Sequence, residues 1–135
     1  MSITYQWRGH IENAEVNALH AEAFGTRDTR SSERNWQVLV GEHSLGWVSA
    51  REEDALVGFV NVIWDGLVHG WIQDLMVASD SRNHGIGATL VSTAREACRQ
   101  AGCEWLHVDF GSDLLRFYHQ ACGFAPTSAG ILHLT

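Results

Sequence analysis

The residues best able to do chemistry lie in one run, Asp74-Leu75-Met76-Val77-Ala78-Ser79-Asp80-Ser81-Arg82-Asn83-His84-Gly85-Ile86-Gly87-Ala88-Thr89-Leu90. An apolar strand pattern ends, a short polar loop follows, and two glycines open a long amphipathic helix. The first turn of a helix carries backbone N–H groups with no intrahelical partner. With the helix dipole they attract an anion, and glycine lets a phosphate approach the backbone closely. Arg82 adds a fixed positive charge at the rim. This arrangement predicts a site for a phosphorylated ligand. The spacing is not GxGxxG, which excludes the dinucleotide fingerprint. A GxxxxGK[ST] phosphate loop is excluded because the chain has no lysine.

The elements around this run follow from periodicity and punctuation. After an N-terminal strand, Glu12 to Phe24 reads as a helix with Val16, Leu19, Ala23 and Phe24 on one stripe. Gly25 to Ser32 is a polar loop, and Glu33 to Val40 reads as a short second helix closed by Gly41. Leu45 to Arg51 and Leu56 to Trp64 form a hairpin, and Gly70 to Ala78 is a third strand after the Asp65-Gly66 turn. Gly85 to Gln100 is a helix stopped by Gly102, and Trp105 to Phe110 is a strand. Ser112 or Asp113 caps a helix reaching Cys122, with Gly123 ending it, and Ile131 to Leu134 reads as a last edge strand. Hairpins combined with strand–helix–strand crossovers predict an α/β (α+β) fold with a mixed, mostly antiparallel sheet. At 135 residues the chain suits one domain and one core.

Two stretches in this order resemble the acetyltransferases of the GNAT superfamily. Arg82-x-x-Gly85-x-Gly87, following Leu75-x-Val77, resembles the superfamily's acetyl-CoA signature. Phe117-Tyr118-His119-Gln120-Ala121-Cys122-Gly123-Phe124 resembles its second signature, a helix ending Y-x-x-x-G-F. The resemblance covers Gly70 to Phe124, while the N-terminal half agrees in element order. It implies one domain over residues 1–135, with six to seven strands flanked by about four helices. It also implies transfer of acetyl from acetyl-CoA, the co-substrate, directly to a primary amine of a small molecule or peptide. The backbone around Leu75, Met76 and Val77 would then pair with the pantetheine arm. Arg82, Asn83, His84, Gly85, Ile86, Gly87 and Ala88 would hold the pyrophosphate. Tyr118 would be the general acid for the departing thiolate, and a backbone N–H near Leu75 or Met76 the oxyanion donor.

The group that deprotonates the amine is the least determined. Relatives place an acid or a histidine early in the strand before the cofactor loop, where this chain has Trp71 and Gln73. Asp74, a carboxylate within an apolar strand, is the first candidate. His107 and Asp109, on one face of the following strand, and His69 and Glu22 are the others. Gly111 stands where many relatives carry an asparagine. Trp36, in the expected second helix, is expected to offer an aromatic wall to the acceptor.

Composition narrows the partners. A formal net charge of −7, with every basic residue an arginine, disfavours nucleic acid and favours a cationic acceptor. No apolar run approaches a membrane span, and the N-terminus lacks the pattern of a signal peptide, so the expected location is cytoplasmic with no membrane partner. A homodimer is compatible with such folds. Three cysteines without CxxC spacing read as free thiols, and eight scattered histidines without ligand spacing predict no metal. Two other readings stay open: a catalytically silent acyl-CoA-binding sensor or interaction domain, and an α/β domain that prefers ATP or NAD.

Overall fold

The computed structural model describes residues 2–25 and 33–135. Five strands form one sheet in the order β1-β2-β3-β4-β5: Ile3–Trp7, Ser44–Glu52, Ala55–Trp64, His69–Val77 and Trp105–Val108. The first four pair antiparallel, and β5 joins β4 in parallel, which makes the sheet mixed as expected. Helices α1 (Asn13–Phe24) and α2 (Trp36–His43) precede β2, and α3 (Ile86–Gln100) is the crossover between β4 and β5. A fourth, irregular helical segment spans 112–121.

The two faces of the sheet bury different cores. Val48, Ala50, Val60, Val62 and Ile72 pack on one face against Ile86, Leu90, Ala94 and Cys98 of α3. Phe59 and Met76 pack on the other against Val16 and Leu19 of α1 and Trp36 and Val40 of α2. Full burial of a side chain such as Phe59 contributes roughly 1.5–3 kcal/mol, so each layer holds its helices firmly against the strands. A bidentate ion pair adds a polar tie between α1 and β2. The Arg51 guanidinium reaches Glu15 at 2.9 and 2.5 Å, and the same carboxylate accepts from the Glu12 backbone N–H at the helix start.

Several sequence expectations are corrected. Among the described residues the sheet has five strands, not six to seven, and the expected strand at Ile131 to Leu134 does not form. Ile131, Leu132 and Leu134 are 81–90% exposed, because an apolar alternation makes a strand only where it finds an edge to pair with. The second helix starts later than expected and runs through Gly41 to His43. Asn35 caps it, its side-chain oxygen accepting from the Val38 N–H at 3.2 Å. Residues 26–32 of the expected polar loop lie outside the described residues. The helix expected up to Cys122 is a 3-10 turn (Ser112–Leu114) followed by a π-helical turn (Phe117–Ala121). In that turn the Cys122 N–H reaches back five residues to the Phe117 carbonyl at 3.0 Å.

Among the tryptophans, Trp36 alone is fully buried, whereas Trp64 and Trp105 are exposed on their strands. Cys98 is buried, and burial pushes its thiol up to about 12. No described helix is long and apolar enough to cross a membrane.

Candidate active site

Two breaks in the regular sheet open the candidate site. The first is the end of β4–β5 pairing. β5 covers β4 only from His69 to Ile72, opposite Trp105 to Val108, while β4 continues to Val77. The β4 backbone from Gln73 to Val77 therefore has no strand neighbour on that side among the described residues. The second break is a bulge. β3 places one residue between Phe59 and Asn61, whereas β4 places two between Gln73 and their partner Met76. Asp74 absorbs the extra residue with φ 57, a left-handed conformation that costs a non-glycine residue about 1–2 kcal/mol. The neighbouring packing overrides that cost: Met76 is 1% exposed in the α1/α2 core, and Leu75 and Val77 pack on the α3 face. The side chains of Leu75, Met76 and Val77 are thus committed to the core, and the backbone is what this edge offers a ligand.

Just beyond lies the start of α3. The loop from Arg82 to His84 is exposed, Asn83 has φ 68, and Gly85 caps the helix at φ 75 with no side-chain hydrogen bond. The backbone N–H groups of Ile86, Gly87 and Ala88 stand without partners among the described residues, as the geometry of a first helical turn requires. The two glycines differ in environment. A Cβ on Gly85 would meet nothing within 4 Å, so this glycine serves a left-handed turn and leaves the space above it open. A Cβ on Gly87 would come within 3.2 Å of the Phe117 ring, so this glycine admits the C-terminal segment against the helix start. Ile86, by contrast, is a core residue at 2% exposure.

That contact seats Tyr118 beside the same helix terminus. The Tyr118 ring is 5% exposed and stacks on Phe110 at 4.7 Å, with Phe117 and Phe124 edge-on. Its hydroxyl makes no hydrogen bond among the described residues, and burial pushes the phenol up to about 12. It is therefore a proton donor throughout the ordinary pH range.

The other candidates fall into two places. His69 and Trp71 lie two apart on β4, and Trp71 is the register partner of both His107 on β5 and Ile63 on β3. The three rings lie together: Trp71 stacks on His107 at 4.9 Å and 18°, and His69 meets His107 edge to edge, with centroids 5.0 Å apart and planes 29° from parallel. His69 Nδ1 and His107 Nε2 share a hydrogen bond of 2.8 Å. Ile63 has the parity of Phe59 on β3, so this stack occupies the α1/α2 face of the sheet. Asp109 is exposed beyond the end of β5. Glu22 is engaged elsewhere, its carboxylate accepting from the Ser79 N–H at 3.0 Å.

Asp74 has a neighbour that the sequence did not single out. His20 of α1 is 8% exposed, lies against Phe24 and Trp36, and receives an N–H from Arg34 at 3.1 Å on Nε2. Burial and the Arg34 charge lower its pKa, while the Asp74 carboxylate opposes the shift. Because arginine only donates, Nε2 is the acceptor and the ring proton sits on Nδ1. The signal available in the sequence was the i, i+4 spacing from Val16, which puts His20 on the buried stripe. Trp36 is not the expected aromatic wall. It is 0% exposed, donates to Asn17 Oδ1 at 2.9 Å and packs edge-on against Phe59, because α2 turns it into the core. Gly111 leads into the 3-10 turn, its carbonyl accepting from the Leu114 N–H at 2.9 Å.

The arrangement suits a particular kind of ligand. A free strand edge accepts an extended chain bearing amide groups, and an uncapped helix start beside Arg82 accepts phosphate. A molecule with amides at one end and a pyrophosphate at the other, such as acetyl-CoA, fits both.

Comparison with known proteins bears on the same residues. The model of the Acetyltransferase (GNAT) family matches residues 11–124. Among solved structures, a GNAT-family acetyltransferase from Streptococcus pneumoniae TIGR4 is similar over 99% of this chain and 98% of its own, at 23% identity and a TM-score of 0.77. The aminoglycoside N-acetyltransferase AAC(6')-Iy, in complex with the bisubstrate analogue CoA-S-monomethyl-acetylneamine, covers 100% and 99% at 14% identity and a TM-score of 0.78. A glucosamine-6-phosphate N-acetyltransferase from Arabidopsis thaliana covers 97% and 98% at 18% identity and a TM-score of 0.70. Comparison with curated proteins gives no match. At these identities the solved structures establish the fold, and the family match over most of the chain shows that it belongs to the GNAT acetyltransferase family.

Proposed function

We propose that the chain, as one domain over residues 1–135, is a cytoplasmic N-acetyltransferase that moves acetyl from acetyl-CoA directly to a primary amine of a small molecule or peptide. The observation that carries this reading is the adjacency of the unpaired β4 edge and the uncapped start of α3. On this reading the backbone of Leu75, Met76 and Val77 pairs with the pantetheine amides. The N–H groups from His84 to Ala88, with Arg82 and Asn83 at the rim, hold the pyrophosphate. A backbone N–H of Leu75 or Met76 faces the thioester carbonyl and stabilises the charge that develops on its oxygen. Tyr118 delivers its proton to the departing sulfur.

The amine must arrive neutral. An ordinary alkylamine near pKa 10.4 is neutral in roughly one molecule in 10³ at pH 7, which is worth about 4 kcal/mol of barrier. Asp74, at the bulge, draws the ammonium in by charge. The net charge of −7 assists a cationic acceptor at longer range.

A second reading, a silent acyl-CoA binder, is favoured by Trp71 and Gln73 standing where relatives carry a base. Turnover decides between them. Calorimetry should show acetyl-CoA binding to the wild-type protein and its loss in Gly85→Glu, whose side chain enters the open space above the helix start. Thiol release should then appear with at least one of benzylamine, spermidine, neamine and an alanine-terminated peptide. Binding without release would favour the silent binder. No binding by the folded wild type would remove both readings.

A further inference from the structure

The amine's proton needs a destination, and the paired histidines of β4 and β5 provide one. We infer that His107 and His69 form a two-imidazole relay, in which His107 takes the proton from the acceptor amine and His69 passes it to solvent. This inference rests on the acetyl-transfer reading above and adds to it the residues that carry the proton.

The geometry is specific. Two imidazole nitrogens 2.8 Å apart hold one proton between them, because two N–H groups facing each other at that distance would collide. In the neutral pair one ring therefore donates its single N–H across the bond and the other ring accepts it. Stacking on Trp71 fixes the plane of both rings. Their position is also specific. His107 is paired in register with Trp71, one residue before β4 and β5 separate, which is a step of about 3.3 Å. His69 lies at the far end of the stack, at the start of β4. There its backbone N–H donates to Asp65 in the preceding turn, away from the opening. The relay thus runs from the strand opening outward.

The proton balance closes. An N–H bond of the ammonium breaks and one forms at His107 Nδ1. The proton on His107 Nε2 crosses to His69 Nδ1, and the proton on His69 Nε2 leaves to water. Both rings end neutral, and a return of the two tautomers resets the pair. Imidazole suits this task near neutral pH better than any other side chain. The charged groups around the pair are Asp65 ahead of β4, Glu104 immediately before β5 and Asp109 just past its end.

The test has two independent arms. Nitrogen-15 spectra of histidine-labelled protein should show His69 and His107 in the same tautomer, joined by an Nδ1···Nε2 hydrogen bond, and that bond should vanish in His69→Gln. Two rings without such a bond would overturn the inference whatever the kinetics show. For rate, the fastest amine of the four named above is the probe, at saturating acetyl-CoA. His107→Gln and His107→Phe should both lower kcat at least 100-fold, although phenylalanine keeps the stack. Free imidazole should restore part of the rate to His107→Ala. His69→Gln should cost about tenfold and shift the acid limb of the pH profile. A His107→Phe rate within threefold of wild type would refute the relay. Acetyl-CoA binding with no turnover of any probe would refute it too, and would leave the silent binder standing. Loss of acetyl-CoA binding in the wild type would instead mark failure of the underlying reading.

Discussion

Replacing Tyr118 with phenylalanine removes one oxygen and little else. The ring sits among Phe110, Phe117 and Phe124, and the hydroxyl has no partner among the described residues, so the packing survives. Stability at pH 7 should change by less than about 1 kcal/mol, or roughly 4 °C in Tm for a chain of this size. If Tyr118 supplies the leaving-group proton, kcat should fall 10²–10³-fold, about 3–4 kcal/mol of barrier, with KM for acetyl-CoA unchanged. The raised phenol also sets a pH signature. With its value at about 12, roughly one phenol in 10³ is ionised at pH 9, against about one in 10 for an ordinary tyrosine. Wild-type kcat should therefore show no alkaline limb from this group below about pH 11.

The same shift bears on stability. The fold favours the neutral phenol, so the contribution is complete below pH 10 and is lost as pH rises through 12. The upper limit is about 3 kcal/mol, and Tyr118→Phe should abolish this alkaline loss. Stopped-flow thiol release across pH, with thermal unfolding in parallel, measures both effects. A Tyr118→Phe rate within threefold of wild type, in a protein equally stable at pH 7, would refute the acid role and leave a core tyrosine.

Three further outcomes follow from particular contacts. Gly85→Glu should stay folded, losing about 1–2 kcal/mol to its left-handed φ of 75, while acetyl-CoA affinity falls beyond calorimetric detection. Arg51→Met should cost about 1–2 kcal/mol at pH 7, because it breaks a bidentate pair only 22% and 26% exposed. The Arg51 hydrogen bond holds Glu15 below the usual carboxylate range, so that stabilisation is present above about pH 4.5. It disappears as pH falls through the lowered value, and the two proteins should converge in urea unfolding once that carboxylate is protonated. Asn61 is 1% exposed with its Nδ2 unpartnered, its Oδ1 being held by the Ser44 hydroxyl. The double variant Ser44→Ala/Asn61→Leu should therefore be as stable as wild type or more so, whereas Ser44→Ala alone should lose about 1–2 kcal/mol.

Local grammar made much of the molecule legible. The period of 3.6 in Gly85 to Gln100 and the stop at Gly102 marked α3 to within a residue, because its amphipathic face and its caps agree. The β2–β3 hairpin and the loop-and-glycine run before α3 were equally readable, and the family resemblance rested on that run. The end of the chain was not. Nothing in the residues from Phe117 to Ala121 distinguishes an α-helical turn from a π turn, which forms where Phe117 settles against Gly87. Ile131 to Leu134 has a strand's alternation but no edge to pair with.

By itself the sequence determined the element types as far as β5, the phosphate-suited loop and the presence of Tyr118 and several histidines, since these depend on neighbours a few residues apart. Tertiary structure alone decided which of those residues meet. Trp36 became core because α2 rolls it onto Phe59, and His20 came to lie near Asp74 because α1 crosses the end of β4. His69 and His107 are 38 residues apart and touch only because β5 pairs in parallel with β4 in one particular register. Register is set by the packing of both faces of the sheet at once, a sum over the whole chain that no local window contains.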